Sequence, residues 1–297
     1  MTTRRASAFP VLALLAVTAS WGSTFFLIKD LLAQVSVLDF LSIRFAIAAV
    51  ALLALRPRAV TRLSRPELRH GVILGVVYGV AQVTQTLGLQ DTPASVSGFV
   101  TGMYVVATPI FAALILREVM GKAVWVAVAL ATVGLGFLSL QGMSVSGGVA
   151  ITFVSALLYA VHIVGLGRWS QRSNAFGLAI VQMVVIAAVC TAISAPNGIG
   201  VPDTSGGWLS LLYMALVAGA LAMLGQTWAQ AHLTSTRAAI IMTMEPVWAT
   251  FFAVLFGGES LGMRMVVGGL LVLSAMYIVE LMPRRRKVEA EVTHLTV

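Results

Sequence analysis

Charged residues are scarce in this sequence. Only 10% of the 297 residues are Asp, Glu, Lys or Arg, whereas 59% are hydrophobic. A soluble globular chain has about 25% charged residues, so this composition excludes a soluble protein. The single cysteine, Cys190, excludes disulfides and sites built from several cysteine ligands. It is expected to act as a small buried hydrophobe.

Motifs for several chemistries are also missing. The chain has no His-Glu-x-x-His metal motif and no Gly-x-Ser-x-Gly nucleophile elbow. The Gly121-Lys122-Ala123 stretch lacks the upstream glycine and the hydroxyl residue of a phosphate-binding loop. The sequence therefore predicts a protein that is not an enzyme, with no catalytic residue, no metal, no cofactor and no use of ATP.

Long apolar runs fill most of the chain. A hydrocarbon core of ~30 Å is crossed by about 20 apolar residues in a helix, and windows of that length predict ten transmembrane helices. They lie at residues 9–29, 37–55, 71–90, 94–116, 122–139, 147–167, 175–195, 208–230, 236–257 and 263–282. The predicted fold class is all-α integral membrane.

The net charge of +8 follows the predicted membrane topology. Sixteen of the 19 basic residues lie at the chain ends or in alternate loops, at Arg4, Arg5, Arg56, Arg58, Arg62, Arg65, Arg69, Arg117, Lys122, Arg168, Arg172, Arg237, Arg284, Arg285, Arg286 and Lys287. Basic loops stay cytoplasmic, which predicts cytoplasmic N- and C-termini and no nucleic-acid partner. If the first run were a cleaved signal peptide, nine crossings would remain.

The two halves of the chain align with each other. At an offset of 141 residues Gln85 falls on Gln226, and at an offset of 138 Trp21 falls on Tyr159. Each half holds five predicted helices, and an odd number makes the second half enter the membrane from the opposite side. The predicted organisation is two inverted five-helix repeats. The predicted units are residues 1–140, 147–284 and a polar cytoplasmic tail at 285–297.

Polar residues inside the apolar segments are arranged on single helix faces. Such stripes are Tyr78, Gln82 and Gln85; Ser97, Thr101, Tyr104 and Thr108; and Ser155, Tyr159 and His162. Each Ser or Thr alone is explained by hydrogen bonding between helices. The combination of amides, phenols, indoles and a carboxylate instead favours a polar cavity. The fifth and tenth segments lack such stripes and are expected to form an outer scaffold.

Glu245 and Arg44 are the most informative of these polar residues. A carboxylate near mid-membrane costs at least ~2.5 kcal/mol, so Glu245 should bind an ammonium group or a proton, or cap backbone groups freed by Pro246. Arg44 lies at a similar depth and cannot lose its proton. It should receive a substrate carboxylate, or pair with a carboxylate or backbone carbonyls. His162 is interpreted as a core histidine or, alternatively, a proton relay.

The candidate substrate site combines these charges with aromatic and amide side chains predicted at mid-membrane depth. Aromatic residues at membrane interfaces form belts at the helix ends, so a central aromatic cluster indicates a pocket. The predicted site residues are Trp21, Arg44, Gln82, Gln85, Tyr104, Tyr159, Glu245 and Trp248.

Several short motifs occur in order along the chain, and together they resemble the EamA-type carriers of the drug/metabolite transporter superfamily over roughly residues 9–282. The residues that carry the resemblance are Trp21-Gly22, Ile43-Arg44-Phe45, Tyr104 to Pro109 before Arg117-Glu118, and Glu245-Pro246-Val247 before Gly258-Glu259. The chain departs from the usual pattern in having Arg117 in place of glycine. Pro109 also lies four residues after the position that matches Pro246.

The resemblance implies a carrier in the cytoplasmic (inner) membrane, often an exporter of amino acids or other small metabolites. The predicted function is efflux of amino acids or related zwitterionic or aromatic compounds by a secondary transporter that uses alternating access. A membrane-embedded enzyme acting on lipids or isoprenoids, and an accessory subunit without transport of its own, are the alternatives. Predicted partners are a small-molecule substrate and membrane lipid. Substrate identity, transport direction, proton coupling and oligomeric state stay open.

Overall fold

The computed structural model describes residues 8–92, 94–117, 120–139, 147–256 and 262–280. These residues are almost entirely helical and contain no β-strand, which confirms the all-α prediction. The helices are α1 (Phe9–Gly22), α2 (Thr24–Leu32), α3 (Val37–Leu55), α4 (Arg65–Gln90), α5 (Ala94–Gly102), α6 (Tyr104–Leu116), α7 (Lys122–Ser139), α8 (Gly147–Trp169), α9 (Ala175–Ser194), α10 (Ser205–Ala215), α11 (Ala222–Gln230), α12 (Ser235–Met242), α13 (Met244–Phe256) and α14 (Met263–Glu280).

Within the described part of the chain, five helical stretches are long and apolar enough to cross a membrane. They are Val37–Leu55, Arg65–Gln90, Gly147–Trp169, Ala175–Ser194 and Ser205–Gln230. The last of these joins α10 to α11 through a π-helical turn at Leu216–Leu221. Shorter apolar helices lie within four of the other five predicted segments, at Phe9–Gly22, Val100–Leu116, Lys122–Gly134 and Val266–Ala275. The structure is therefore that of a multi-pass membrane protein.

Apolar side chains cover much of the outer surface. Leu114, Leu209 and Phe256 are 72%, 71% and 69% exposed. In a soluble protein such large exposed apolar side chains over a wide area would promote aggregation. Contact with lipid explains them in a chain of this hydropathy.

Three of the predicted segments are interrupted rather than continuous. The interruptions fall at Ser23, between α1 and α2, at Met103, between α5 and α6, and at Thr243, between α12 and α13. The hydroxyl of Ser23 donates to a backbone carbonyl three residues earlier, and so does that of Thr243, which competes with the helical hydrogen bonds. Pro246 lies in the first turn of α13, where its missing N–H costs least.

Glycine residues let α4 approach α9 closely. A Cβ added to Gly71 or Gly75 would lie 2.9 or 2.8 Å from the nearest valine side-chain atom of α9, at Val181 or Val185. The third glycine of this row, Gly79, faces α9 at 3.3 Å. The glycine row of the sequence is therefore a packing surface, as small residues are between membrane helices.

The interior is formed mainly by α1, α3, α4, α8, α9 and the helices from α10 to α13. In the described ranges α7 packs chiefly against α14, with Gly134 facing the backbone of Gly268. Neither of these two helices contributes a residue to the central cavity described below. Their position agrees with the expected outer scaffold.

Candidate functional site

A cavity lies among the helices that surround the interior. It holds about 640 Å³ of space free of atoms, including the part that opens outward. Seven of the eight predicted site residues line this cavity: Trp21, Arg44, Gln82, Gln85, Tyr104, Tyr159 and Glu245. The structure thus brings together residues from both halves of the chain.

Arg44 is a buried cation in the cavity wall. Its side chain is 3% exposed. Nε donates to the carbonyl of Met214 at 3.2 Å, and one terminal nitrogen donates to the carbonyl of Ala218 at 3.5 Å. The guanidinium carbon also lies 5.7 and 5.2 Å from the ring centroids of Phe40 and Phe45, within cation–π range. Of the two expected kinds of partner, the structure provides backbone carbonyls.

Met214 lies near the end of α10, and Ala218 lies in the π-helical turn that joins α10 to α11. A π turn replaces the usual i→i−4 hydrogen bonds and disturbs the local ladder, so carbonyls there can accept from side chains. The carbonyl of Ala218 also accepts the indole N–H of Trp21 at 2.9 Å. One backbone oxygen therefore holds two of the predicted site residues in place. A guanidinium has five N–H donors, so most of those on Arg44 remain for other acceptors.

Glu245 is a buried carboxyl group in the cavity wall. It lies in the first turn of α13 and is 8% exposed. Among the described residues, no side chain or backbone group forms a hydrogen bond or ion pair with its carboxyl. The expected alternative, a carboxyl that caps backbone groups near Pro246, is therefore not what the structure contains.

A chain of two hydrogen bonds and one separate hydrogen bond connect the aromatic and amide side chains. The hydroxyl of Tyr159 donates to Oε1 of Gln85 at 2.7 Å, and Nε2 of Gln85 donates to Oγ1 of Thr101 at 3.1 Å. Nε2 of Gln82 donates to the hydroxyl of Tyr78 at 2.9 Å. The two-bond chain joins α8 to α4 and α5, so it links the two halves across the cavity.

Trp248 is the one predicted site residue that lies outside the cavity lining. It is three residues after Glu245 on α13, and its ring packs edge-on against Phe251 at a centroid distance of 5.9 Å. Its Cβ faces Gly22 of α1. The predicted depth placed it near the site, but the rotation of α13 turns its side chain toward the α1 contact. A part for Trp248 in substrate binding stays a prediction.

The cavity also includes polar residues that the predicted site omitted. These are Thr24, Tyr78, Thr86, Thr101, His162 and Gln226. Tyr78, Thr101 and His162 belong to the polar stripes of the sequence, so helical periodicity was a signal for them. Gln226 is the repeat equivalent of Gln85. Within the described chain, no group of three His, Cys, Asp or Glu side chains could hold a metal ion.

The helices, the apolar exterior and the polar interior cavity together define a membrane transporter. The profile of the EamA-like transporter family matches residues 8–140 and 146–281, and the chain belongs to that family. The sequence is 31% identical over 271 residues to an uncharacterized transporter from Archaeoglobus fulgidus, covering 91% of this chain and 85% of the relative. Membership of this family also makes the protein a transporter rather than an enzyme.

The fold is similar to one already solved. A crystal structure of a protein of 16% sequence identity superposes with a TM-score of 0.77, covering 91% of this chain and 95% of that chain. At that identity the likeness concerns the fold alone.

Proposed function

We propose that the protein is a secondary transporter that exports amino acids or related zwitterionic or aromatic metabolites across the cytoplasmic membrane. Its binding site is the central cavity, with Trp21, Arg44, Gln82, Gln85, Tyr104, Tyr159 and Glu245 as substrate-binding residues. The substrate binds near mid-membrane and the two halves of the chain rock around it, as in other carriers built from repeats.

One observation carries the proposal of a zwitterionic substrate. The cavity holds a guanidinium and a carboxylate, and within the described residues these two groups do not form an ion pair. Buried charges are costly unless they are paired. A substrate with one carboxylate and one ammonium group would pair with both, its carboxylate at Arg44 and its ammonium at Glu245. The surrounding phenol and indole rings would contact its apolar part and its cation.

Ten crossings in two inverted repeats are part of the proposal, at residues 1–140 and 147–284. The helix packing supports it, because α1 contacts α11 as α8 contacts α4, and α3 packs against its own repeat equivalent, α9. The alternating basic loops support cytoplasmic termini. Reporter fusions after Met143 and after Arg286 test this topology. We expect an external signal at Met143 and a cytoplasmic one after Arg286, and the reverse at either site would contradict it.

The Glu245→Gln variant tests the role of the carboxylate. We expect purified protein in proteoliposomes to take up amino acids, and Glu245→Gln to lose this uptake while still inserting into membranes. Glu67→Gln is a matched control, because Glu67 lies in the capping box of α4 outside the cavity lining, and glutamine preserves such a box. Wild-type uptake by Glu245→Gln would show that the carboxylate is not needed for transport.

The Arg44→Lys variant tests the carboxylate end of the substrate. Lysine keeps the charge but lacks the planar fork that binds a carboxylate while holding two carbonyls. Losing one charge-assisted hydrogen bond should weaken binding roughly tenfold. We expect this loss for amino acids and a smaller one for the matching amines, which lack the carboxylate. Arg58→Lys, in the exposed loop before α4, is the control for the same substitution.

A further inference from the structure

His162 has a partner on only one of its two ring nitrogens. It lies on α8, is 1% exposed and lines the cavity. Nε2 is 2.7 Å from Oε1 of Gln182 on α9. Nδ1 is buried and has no hydrogen-bond partner in the part of the chain that the structure describes. A buried unsatisfied nitrogen is costly, so its retention in a cavity wall needs an explanation.

The hydrogen-bond partner of Nε2 determines which ring nitrogen of His162 carries the proton. Nε2 of Gln182 donates to the carbonyl of Leu178 at 3.1 Å, which turns the amide oxygen of Gln182 toward the histidine. An oxygen only accepts, so His162 must carry its proton on Nε2. In the neutral ring, Nδ1 is then a bare acceptor. The ring is also held by Tyr78, at a centroid distance of 4.9 Å.

The corresponding position of the first half carries a hydroxyl in place of an imidazole. The offset of 138 residues that pairs Trp21 with Tyr159 pairs His162 with Thr24. The hydroxyl of Thr24 donates to the carbonyl of Trp21 at 2.7 Å, within its own segment. His162 and Glu245 both belong to the second half. The buried cation of the cavity, Arg44, comes from the first half.

We propose that Nδ1 of His162 is a specificity-determining acceptor that takes an N–H from the substrate ammonium bound at Glu245. This inference rests on the proposed function, because it assumes that an amino-acid-like cation occupies the cavity. A primary ammonium has three N–H donors, and a carboxylate alone leaves some of them unpaired. A quaternary ammonium has the same charge but no N–H. His162 therefore makes the site prefer primary over quaternary ammonium compounds.

Two substitutions separate this role from a structural one. In His162→Asn the amide oxygen is bonded to Cγ, as Nδ1 is in histidine. This variant can therefore keep an acceptor at the Nδ1 position while it loses the contact with Gln182. His162→Gln places its amide near the former Nε2, so it can keep the Gln182 contact but lacks the Nδ1 acceptor. If His162 binds the substrate through Nδ1, His162→Gln should be the more impaired variant. If His162 acts only by packing against Gln182, His162→Asn should be the more impaired one.

The experiment uses the full chain in proteoliposomes and two probes. One is whichever of the twenty common amino acids the wild type takes up fastest, and the other is its N-trimethyl betaine. The readout is the ratio of their apparent affinities, which is insensitive to the amount of folded protein. We expect the wild type and His162→Asn to prefer the amino acid. In His162→Gln this preference should fall by about tenfold, the value of one hydrogen bond to a charged group.

Any other ranking overturns the inference. If His162→Gln keeps the preference, Nδ1 does not contact the ammonium. If His162→Asn loses it as fully as His162→Gln or more so, the histidine acts through Gln182 or by packing. These failures leave the proposed function intact, because the wild type still transports. If the wild type takes up none of the twenty amino acids, the proposed function fails and the inference falls with it.

Discussion

Gly22 of α1 packs directly against the backbone of α13, and its replacement by alanine is a direct test of the site's architecture. A Cβ on Gly22 would lie 2.7 Å from the carbonyl oxygen of Glu245, 2.8 Å from the amide nitrogen of Ala249 and 2.8 Å from Cβ of Trp248. Ordinary contacts are ~3.5–4.0 Å, so the two helices would have to separate by roughly 0.5–1 Å. Two of the three atoms belong to the backbone, so no change of rotamer relieves the contact.

The expected magnitude for Gly22→Ala is a balance of two effects. Overpacking costs ~1–3 kcal/mol, while alanine in place of glycine inside a helix stabilises by ~0.5–1 kcal/mol. We expect a net loss of about 1–2 kcal/mol in the free energy of unfolding. The contacted backbone is that of Glu245, so the carboxylate should move with α13. Because a site displaced by about 1 Å works poorly, we expect transport to fall about tenfold.

The measurements are unfolding of detergent-solubilised protein, followed by tryptophan fluorescence, and uptake into proteoliposomes. Gly269→Ala in α14 is the matched control, since a Cβ there meets no atom within 4 Å. We expect this control to keep full transport and to be as stable as the wild type or slightly more so. The reasoning would be refuted if Gly22→Ala matched Gly269→Ala in both measurements, because α1 and α13 would then not be in close contact.

Three further predictions concern hydrogen bonds and burial. Trp21→Phe removes the donor to the carbonyl of Ala218 and should lower the unfolding free energy by ~1 kcal/mol in the same fluorescence assay; an unchanged stability would argue against that bond. Ser64→Ala removes the side-chain cap of α4 and should cost ~1 kcal/mol, whereas Glu67→Gln should cost much less. Cys190, 1% exposed, should react with a maleimide only after unfolding in detergent, and labelling of the folded protein would contradict its burial.

Much of the candidate site could be predicted from helical periodicity. Gln82 and Gln85 lie on one face of α4, and Tyr159 follows a similar polar stripe on α8, so their appearance on one cavity wall follows from 3.6 residues per turn. Depth could be estimated from the distance to the segment ends, which placed Glu245 and Arg44 near mid-membrane. Depth does not give the rotation of a helix about its own axis. For that reason depth alone did not indicate that Trp248 lies outside the cavity lining, with its Cβ near Gly22 of α1.

The sequence by itself determined the class of protein, because scarce charge and long apolar runs are compatible only with a membrane environment, and it determined which helix faces are polar. Only the tertiary structure decided the partners of those faces. The carbonyls that hold Arg44 belong to α10 and to the π turn that follows it, both distant from Arg44 in sequence, and no local sequence pattern predicts that turn. The bare Nδ1 of His162 depends on the orientation of an amide on another helix. Such contacts arise from how the helices pack, since each joins groups that local propensity does not bring together.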